Sequence, residues 1–180
     1  RSVDGFVDVL ADATAACDPV TVFFSDHGEA LGEHGNFGHE QTLYEENLRV
    51  PAFVHNVGAV DDVREQLPLR SLPTVLVNLA DSEEFAPRTH TQRFVVSQTE
   101  NNRRKSVRTS RWKYIADGKS EAERLYDLDE DPSESSDVSG EYPAVAEALA
   151  DVLNRHEVTQ AEKTAVGTVA EELLSAEVSL

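Results

Sequence analysis

The fold is decided by residues 20–51, which read VTVFFSDHGEALGEHGNFGHEQTLYEENLRVP. Residues 20–24 are β-branched or aromatic, which predicts a short buried strand. Asp26 and His27 follow this strand almost directly, and Gly28 lets the backbone turn there. Open α/β sheets bind their ligands in the crevice beyond the strand ends. Asp26 and His27 are therefore candidate ligands of one cation, although an ordinary surface turn would also explain them.

The loop that follows carries more polar side chains than a turn requires: Glu29, Glu33, His34, His39, Glu40, Glu45 and Glu46. His39 is a candidate hydrogen-bond donor to a metal-bound anion. The alternative is that His34 and His39 only make hydrogen bonds within the loop. Glu45 and Glu46 are expected to cap a short helix or to face water.

The first half of the chain has the periodicity of an α/β domain. Residues 1–14 predict a helix with one buried face, formed by Val3, Phe6, Val7, Leu10 and Ala13. A short helix is expected over residues 40–47 and a second strand over residues 51–54. This order predicts parallel neighbouring strands joined by a right-handed crossover. Ser71 predicts the start of another helix, with Pro73 in its first turn and Val75, Leu76 and Leu79 on its inner face.

The second half of the chain has a different pattern of predicted elements. Residues 93–97, 105–109, 112–116 and 125–128 are short β-prone runs separated by turn signals, which predicts a small antiparallel sheet. A helix is expected from Pro143, with Val145, Leu149, Val152 and Leu153 on one face, followed by a helical or frayed tail. We therefore expect a catalytic-domain portion over residues 1–92, a small subdomain over 93–156 and a tail over 157–180.

The composition is strongly acidic, with 34 acidic against 16 basic residues and a net charge of −18 over 180 residues. This charge argues against nucleic acid and anionic membranes as partners. The scarcity of lysine favours a salt-adapted protein, as from a halophile. Basic residues do cluster at positions 103–113, interleaved with Trp112 and near Tyr114. We interpret that cluster as the solvated face of strands, with binding of nucleic acid or of an anionic substrate as alternatives.

The cysteine content, the apolar runs and the first residue of the chain indicate its cellular location and its extent. Cys17 is the single cysteine, so no intrachain disulfide forms, and His55, His90 and His156 belong to no motif. No apolar run reaches membrane-spanning length and no signal peptide precedes the domain, which predicts a cytoplasmic protein. The chain starts with Arg1 and contains no methionine. We therefore expect it to be the later part of a longer polypeptide.

Two motifs, in this order, resemble the sulfatases of the alkaline phosphatase superfamily. SDHGEALGEHG followed by GHEQTLYEENLRVP is similar to the second metal-binding segment of that family. VRTSRWKYI followed by ERLYDLDEDPSE resembles the segment in which R-x-x-x-W-K-Y precedes L-Y-D-L-x-x-D-P-x-E. The resemblance implies an alkaline-phosphatase-like α/β sandwich portion, with a largely parallel sheet and flanking helices. A small C-terminal antiparallel sheet with a helix completes the expected fold.

The resemblance also implies a function, the metal-dependent hydrolysis of sulfate esters. Asp26 and His27 match the pair that helps hold a divalent cation in the family, usually Ca²⁺, with Mg²⁺, Mn²⁺ or Zn²⁺ as alternatives. His39 falls where the family places a lysine or histidine that contacts the sulfate group, a catalytic position. The family's nucleophile is a formylglycine whose hydrate attacks sulfur while the metal polarises the sulfate oxygens.

The chain departs from the family pattern in one important respect. The nucleophile signature C-x-P-x-R and the first aspartate pair lie in the family's N-terminal half, and neither occurs here. Cys17 and Pro19 imitate the start of that signature, but Thr21 stands where arginine is needed. We expect Cys17 to be an ordinary residue, and the chain to be an inactive C-terminal fragment that needs the missing N-terminal half as its partner.

Two alternatives remain open at the level of sequence. Phosphoethanolamine transferases of the same superfamily share a similar Asp-His motif but use zinc and a threonine nucleophile. They are membrane-anchored and lack the pattern that Tyr126, Asp127, Leu128, Asp131, Pro132 and Glu134 supply. The second alternative is a non-catalytic remnant or binding module that keeps the fold without the chemistry.

Overall fold

The computed structural model describes residues 3–17, 19–39, 42–57, 65–82 and 87–177. Its helices and strands, in chain order, are α1 Val3–Thr14, β1 Thr21–Phe24, β2 Ala30–Leu31, β3 Phe37–Gly38, α2 Glu45–Leu48, β4 Ala52–His55, α3 Leu72–Ser82, β5 Val95–Gln98, β6 Arg104–Arg108, β7 Trp112–Asp117, β8 Ala122–Asp127 and α4 Pro143–Glu177. Within these residues, no helix combines the length and the apolar character needed to cross a membrane.

Strands β1 and β4 form an antiparallel pair, so the predicted parallel neighbours were wrong. Phe24 lies opposite Ala52 and Thr21 opposite His55. A parallel pair needs a long crossover, usually a helix. Here the described part of the connection consists of the β2–β3 hairpin and the four-residue α2, and β4 begins opposite the end of β1. The predicted largely parallel sheet is thus absent from the described residues, whereas the α/β class is confirmed.

Helices α1 and α3 form where the sequence predicts them, whereas α2 covers only residues 45–48 and residues 42–44 of the helix expected over 40–47 are not helical. The helices are buried to different extents. In α3, Val75 and Leu79 are buried, as the periodicity requires. In α1, Leu10 remains 44% exposed, so the predicted buried face is not covered at this position by the described part of the chain. Phe24 of β1 is similarly 43% exposed, although a buried strand was expected.

The C-terminal half is a four-stranded antiparallel sheet in the order β5–β6–β7–β8, which confirms the prediction. Val107, Tyr114 and Leu125 on one face of the sheet pack against three residues of α4, namely Ala146, Leu149 and Leu153. The alternation of strand side chains and the helical spacing of α4 place these residues on facing surfaces. Helix α4 continues without interruption to Glu177, so the tail is helical.

The opposite face of the same sheet packs against the segment around α2. Leu43 is buried against Ile115 and Tyr126, with Leu48 packed at the margin. The sheet is therefore covered by α4 on one side and by the loop that precedes β4 on the other. This arrangement fixes the position of the loop that carries the candidate site.

A buried ion-pair network holds the loop against the sheet. Lys113, which is fully buried, places its Nζ 3.0 Å from Glu45 Oε1 and 3.2 Å from Glu134 Oε1. Arg108 Nε lies 2.9 Å from Glu45 Oε1, and the backbone N–H of Glu45 donates to Glu134 Oε2 at 2.6 Å. The network thus joins α2, two strands and the loop after β8.

The pKa values of the two carboxylates in this network are shifted in opposite directions. Burial raises the pKa of Glu45, but Arg108 and Lys113 outweigh it and the net pKa is lowered. For Glu134 burial dominates over the attraction of Lys113, and the pKa is raised. The difference arises because Glu45 has two cations beside it and Glu134 has one.

The basic cluster at positions 103–113 is used in ion pairs within the fold. Arg103 and Arg104 both pair with Asp117, and Lys105 pairs with Glu157. Arg111 pairs with Asp127 at 2.6 Å and stacks over the Trp112 ring. These contacts favour the structural interpretation of the cluster over a nucleic-acid surface.

Replacing Lys113 should strongly destabilise the fold. In Lys113→Met the Glu134 carboxylate loses its cation while it stays buried, and breaking a buried pair in this way costs about 3–5 kcal/mol. The free energy of unfolding, measured by urea denaturation, should fall by this amount. The matched control Lys119→Met removes an exposed lysine and should change stability by less than about 0.5 kcal/mol. Equal midpoints for the two variants would contradict the role assigned to Lys113.

Candidate functional site

Three side chains from residues 20–51 converge beyond the C-terminal end of β1. One ligand atom each of His27, Glu29 and His39 lies within 4.8 Å of the other two, and all three residues are exposed. The rings of His27 and His39 are 4.7 Å apart between centroids, and His39 Nδ1 lies 3.7 Å from Glu29 Oε2. The structure therefore brings together two imidazoles and a carboxylate, which is a set of donors suited to a divalent cation.

Asp26 stands at the edge of this cluster. Its Oδ1 lies 3.8 Å from His27 Nε2 and accepts a hydrogen bond from the His27 backbone N–H at 3.0 Å. The Asp26 side chain is 85% exposed, so its carboxylate is accessible to an ion. Asp26 and His27 are thus adjacent as predicted, while binding of a metal by them stays a prediction.

His27 is oriented by its own backbone. Its Nδ1 is 2.8 Å from the carbonyl oxygen of Gly28, and an N–H at Nδ1 leaves Nε2 as the ring's lone-pair donor. Metal-bound histidines commonly use one ring nitrogen in this way. The hydrogen bond to Gly28 and the nearby Asp26 carboxylate raise the pKa of His27.

Two glycines determine the backbone path around the cluster of His27, Glu29 and His39. A Cβ at Gly28 would stand 1.9 Å from the carbonyl oxygen of Glu46, so the close approach of two backbones requires glycine there. The Gly28 N–H donates to the carbonyl of Asn47 at 2.9 Å. Gly38, at φ +87°, ends β3 in a conformation that L side chains rarely adopt. It thereby places His39 beside Glu29, which lies before β2.

His34 has a structural role and makes hydrogen bonds within the protein, which was one of the two interpretations that the sequence allowed. Its Nδ1 is 2.8 Å from Glu46 Oε1, its Nε2 is 3.0 Å from the carbonyl of Glu134, and its ring stacks on Tyr44 at 3.6 Å. Burial lowers the pKa of His34, but the Glu134 carbonyl and the Glu46 carboxylate outweigh that effect and the net pKa is raised. His34 therefore bridges the hairpin loop to the loop after β8.

The other candidates lie apart from the cluster. Glu45 belongs to the buried network, and Cys17 is exposed. His55 is exposed on β4, His90 contacts Asn78, and His156 lies on α4. Glu40 lies outside the described residues. Glu29 was noted only as one acid among several, because no sequence signal reports that the β2–β3 hairpin returns His39 to its side.

The curated proteins to which the chain is similar are arylsulfatases. No family model matches the chain. The chain is 29% identical over 159 residues to mouse arylsulfatase K and 29% identical over 176 residues to chicken arylsulfatase K, covering 72% and 82% of this chain. It spans about a third of the length of these relatives, 28% of the mouse protein and 32% of the chicken protein.

Solved structures show the same fold at lower identity. A structure described as a 2-O GAG sulfatase matches with a TM-score of 0.70 at 22% identity, over 86% of this chain and 39% of that one. A protein in complex with its substrate D-glucosamine-2-N,6-O-disulfate gives 0.60 at 19% identity, and the phosphonate monoester hydrolase of Agrobacterium radiobacter gives 0.65 at 19%. Each covers 86% of this chain and 38% of the matched one.

These likenesses confirm the alkaline-phosphatase-like fold class and support a sulfatase-like chain of the hydrolase class. The relatives named above give no support to an origin in a halophile. The roles of Asp26, His27 and His39 stay predictions, because sequence and fold similarity do not test individual side chains.

The bridging role of His34 predicts a pH-dependent contribution to stability. A raised pKa in the folded chain means that this contribution is complete below the ordinary pKa of histidine and is lost as the pH rises through the folded-state value. Glu46→Gln should lower the pKa of His34 in an NMR titration and reduce the loss of stability from about pH 6 to 8. Glu147→Gln, at an exposed position on α4, which covers the opposite face of the sheet, is the control. An unchanged His34 titration in Glu46→Gln would refute the bridge.

Proposed function

We propose that this chain supplies part of the active site of a sulfatase-like sulfuric ester hydrolase. The observation that carries the proposal is the convergence of His27, Glu29 and His39, beside Asp26, at the open end of β1. The likeness to arylsulfatase K gives this cluster its chemical context. Because the chain spans about a third of those relatives, the activity belongs to a site that these residues only partly form.

Asp26 and His27 are the proposed metal ligands. The one carboxylate and two imidazoles of the cluster, with the Asp26 carboxylate beside them, fit a divalent cation. The resemblance favours Ca²⁺, which prefers six to eight oxygen ligands, so further oxygens would have to come from water or from other residues. The imidazoles would also suit Zn²⁺ or Mn²⁺. When bound, such a cation acts as a Lewis acid on the oxygens of the ester.

His39 is the proposed catalytic residue. Its ring lies against His27, and it is 70% exposed in its side chain, so an ester group at the cluster can reach it. The ring N–H would donate a hydrogen bond to a sulfate oxygen and hold the ester in place. Glu29, 3.7 Å from His39 Nδ1, would orient the ring for this contact.

The attacking group is proposed to come from outside these residues. The C-x-P-x-R signature of the formylglycine nucleophile does not occur in the 180 residues. We therefore propose that an N-terminal half, on the same or another polypeptide, completes the site. The 180 residues alone should hydrolyse no aryl sulfate. The proposed three-part division, the cytoplasmic location and the salt adaptation remain predictions.

A phosphoryl-group enzyme of the same superfamily is the second candidate. It is favoured by the Asp26–His27 pair and by the fold likeness to a phosphonate monoester hydrolase. A transferase that uses zinc would place the same residues around a different metal. A binding module without chemistry is the third candidate, and lack of any turnover by the complete protein would support it.

Metal preference separates the first two candidates. In the protein made from its complete coding sequence, calorimetric titration should show tighter binding of Ca²⁺ than of Zn²⁺. His27→Ala should weaken binding at least about tenfold, since even residues that only support a ligand change metal affinity by about 10–100-fold. His55→Ala, on exposed β4, should leave it unchanged. A clear preference for Zn²⁺ would overturn the sulfatase assignment in favour of the transferase.

Activity tests the role of His39. The complete protein should hydrolyse 4-nitrophenyl sulfate faster than 4-nitrophenyl phosphate. His39→Ala should lower kcat/KM by about 10²–10⁴-fold, the range for a positioned proton donor. His55→Ala should retain wild-type kinetics. Turnover by the 180 residues alone, or full activity in His39→Ala, would contradict the assignments made here.

A further inference from the structure

Asn47 is a buried polar residue of α2, and its side chain takes no part in the ion-pair network of Lys113. Only 7% of its surface is exposed. The side-chain Nδ2 donates a hydrogen bond to Thr42 Oγ1. The backbone carbonyl accepts a hydrogen bond from the Gly28 N–H at 2.9 Å. Asn47 is therefore bonded to two separate points of the chain.

These two points are the ends of the loop that carries the cluster. Gly28 directly follows His27, and Thr42 follows His39 by three residues. The β2–β3 hairpin lies between them. Asn47 therefore closes the base of the hairpin loop, close to each of the two histidines of the cluster.

The hairpin is too short to hold its own shape. Its ladder consists of two residue pairs, Ala30 with Gly38 and Leu31 with Phe37. Leu31 is 75% exposed and Phe37 is 74% exposed, so these side chains add little burial. An isolated two-stranded hairpin is at best marginally stable in water. The geometry of the cluster therefore depends on the contacts that anchor the hairpin loop to the rest of the fold.

Three successive residues of α2 supply these anchors. Glu45 binds the C-terminal sheet through Arg108. Glu46 holds His34, which lies between β2 and β3 at the tip of the hairpin. Asn47 holds the base of the loop. Helix α2 thereby fixes both ends of the hairpin loop relative to the sheet.

Fold stability alone does not explain an asparagine at this position. Its Oδ1 is buried and has no hydrogen-bond partner among the residues that the structure describes. A buried acceptor without a partner is destabilising, because it has lost its water and gained nothing in exchange. A leucine has nearly the same shape and would avoid this cost, but it could not donate to Thr42. The contact with Thr42 is therefore what distinguishes the amide.

We propose that Asn47 is a positioning residue of the candidate site. By holding Thr42 and Gly28, it keeps the rings of His39 and His27 at 4.7 Å between centroids, where one cation can contact both. Residues that orient metal ligands without touching the metal change its affinity by about 10–100-fold when they are replaced. The link to catalysis rests on the proposed function, whereas the spacing of the two rings does not.

Binding of Cu²⁺ reports the spacing of the rings without turnover. The probe is Cu²⁺ alone, which imidazole suits as a ligand, added to the untagged protein made from its complete coding sequence. Pulsed electron paramagnetic resonance distinguishes one bound imidazole from two. The wild type should show two, and His39→Ala should show one, which assigns the signal to this cluster. Asn47→Leu should also show fewer than two and should bind Cu²⁺ about 10–100-fold more weakly in a calorimetric titration.

Variants of Thr42 test the same contact from its other partner. Thr42→Val removes the hydroxyl at nearly unchanged shape and should weaken Cu²⁺ binding as much as Asn47→Leu. Thr42→Ser keeps the hydroxyl and should bind Cu²⁺ like the wild type. The double variant Thr42→Val/Asn47→Leu should lose no more than either single variant, because both act through one hydrogen bond. Asn154→Leu, at an exposed position of α4, is the matched control and should change nothing.

Four results would overturn the inference: fewer than two imidazoles in the wild type, wild-type binding in Asn47→Leu, an equal loss in Asn154→Leu, or additive losses in the double variant. If Asn47→Leu fails to fold, the comparison of Thr42→Val with Thr42→Ser still decides the question.

The same experiment separates this inference from the proposed function. The expected pattern of Cu²⁺ binding in a complete protein without sulfatase activity would keep the positioning role and remove the proposed reaction. Sulfatase activity together with unchanged Cu²⁺ binding in Asn47→Leu and Thr42→Val would remove the positioning role alone.

Discussion

The buried contact of Lys113 with Glu45 and Glu134 is the constraint on which the rest of the structure depends. An ammonium group with no access to water must have carboxylates beside it, because desolvating an unpaired charge is costly. Those carboxylates come from α2 and from the loop after β8. Lys113 therefore has both of its carboxylate partners only when the loop around α2 is seated on the C-terminal sheet.

This constraint explains why one of the two sulfatase-like motifs contains no candidate for chemistry. Arg108, Lys113 and Glu134 belong to the buried network, and Asp127 holds Arg111. Asp131 accepts hydrogen bonds from residues of its own turn: Ser133, Ser135 and Ser136. The second motif thus supplies contacts that hold the fold together, while the first contains Asp26 and His39, the residues proposed to act on a ligand.

The sequence predicts the elements whose signals are local. The four-stranded sheet and α4 follow from alternation, turn residues and helical spacing. The antiparallel pairing of β1 with β4 was missed because nothing local reports the path of the intervening chain. Glu29 was missed for the same reason, since only the folded hairpin returns His39 to it. Lys113 was interpreted as part of a solvated face because alternation assigns a charged strand residue to the outside.

The close backbone contact at Gly28 affects how tolerance to substitution at this site is interpreted. It ligates nothing, yet its backbone passes so close to the carbonyl of Glu46 that any side chain would collide. Asp26 and His27, next to it, are exposed and face no such steric barrier. A saturation-mutagenesis survey for folded chains should therefore find position 28 the most restrictive of the three, and the two candidate ligands freely replaceable. Intolerance to substitution at position 28 would result from the close approach of two backbone segments, and it would give no information about catalysis.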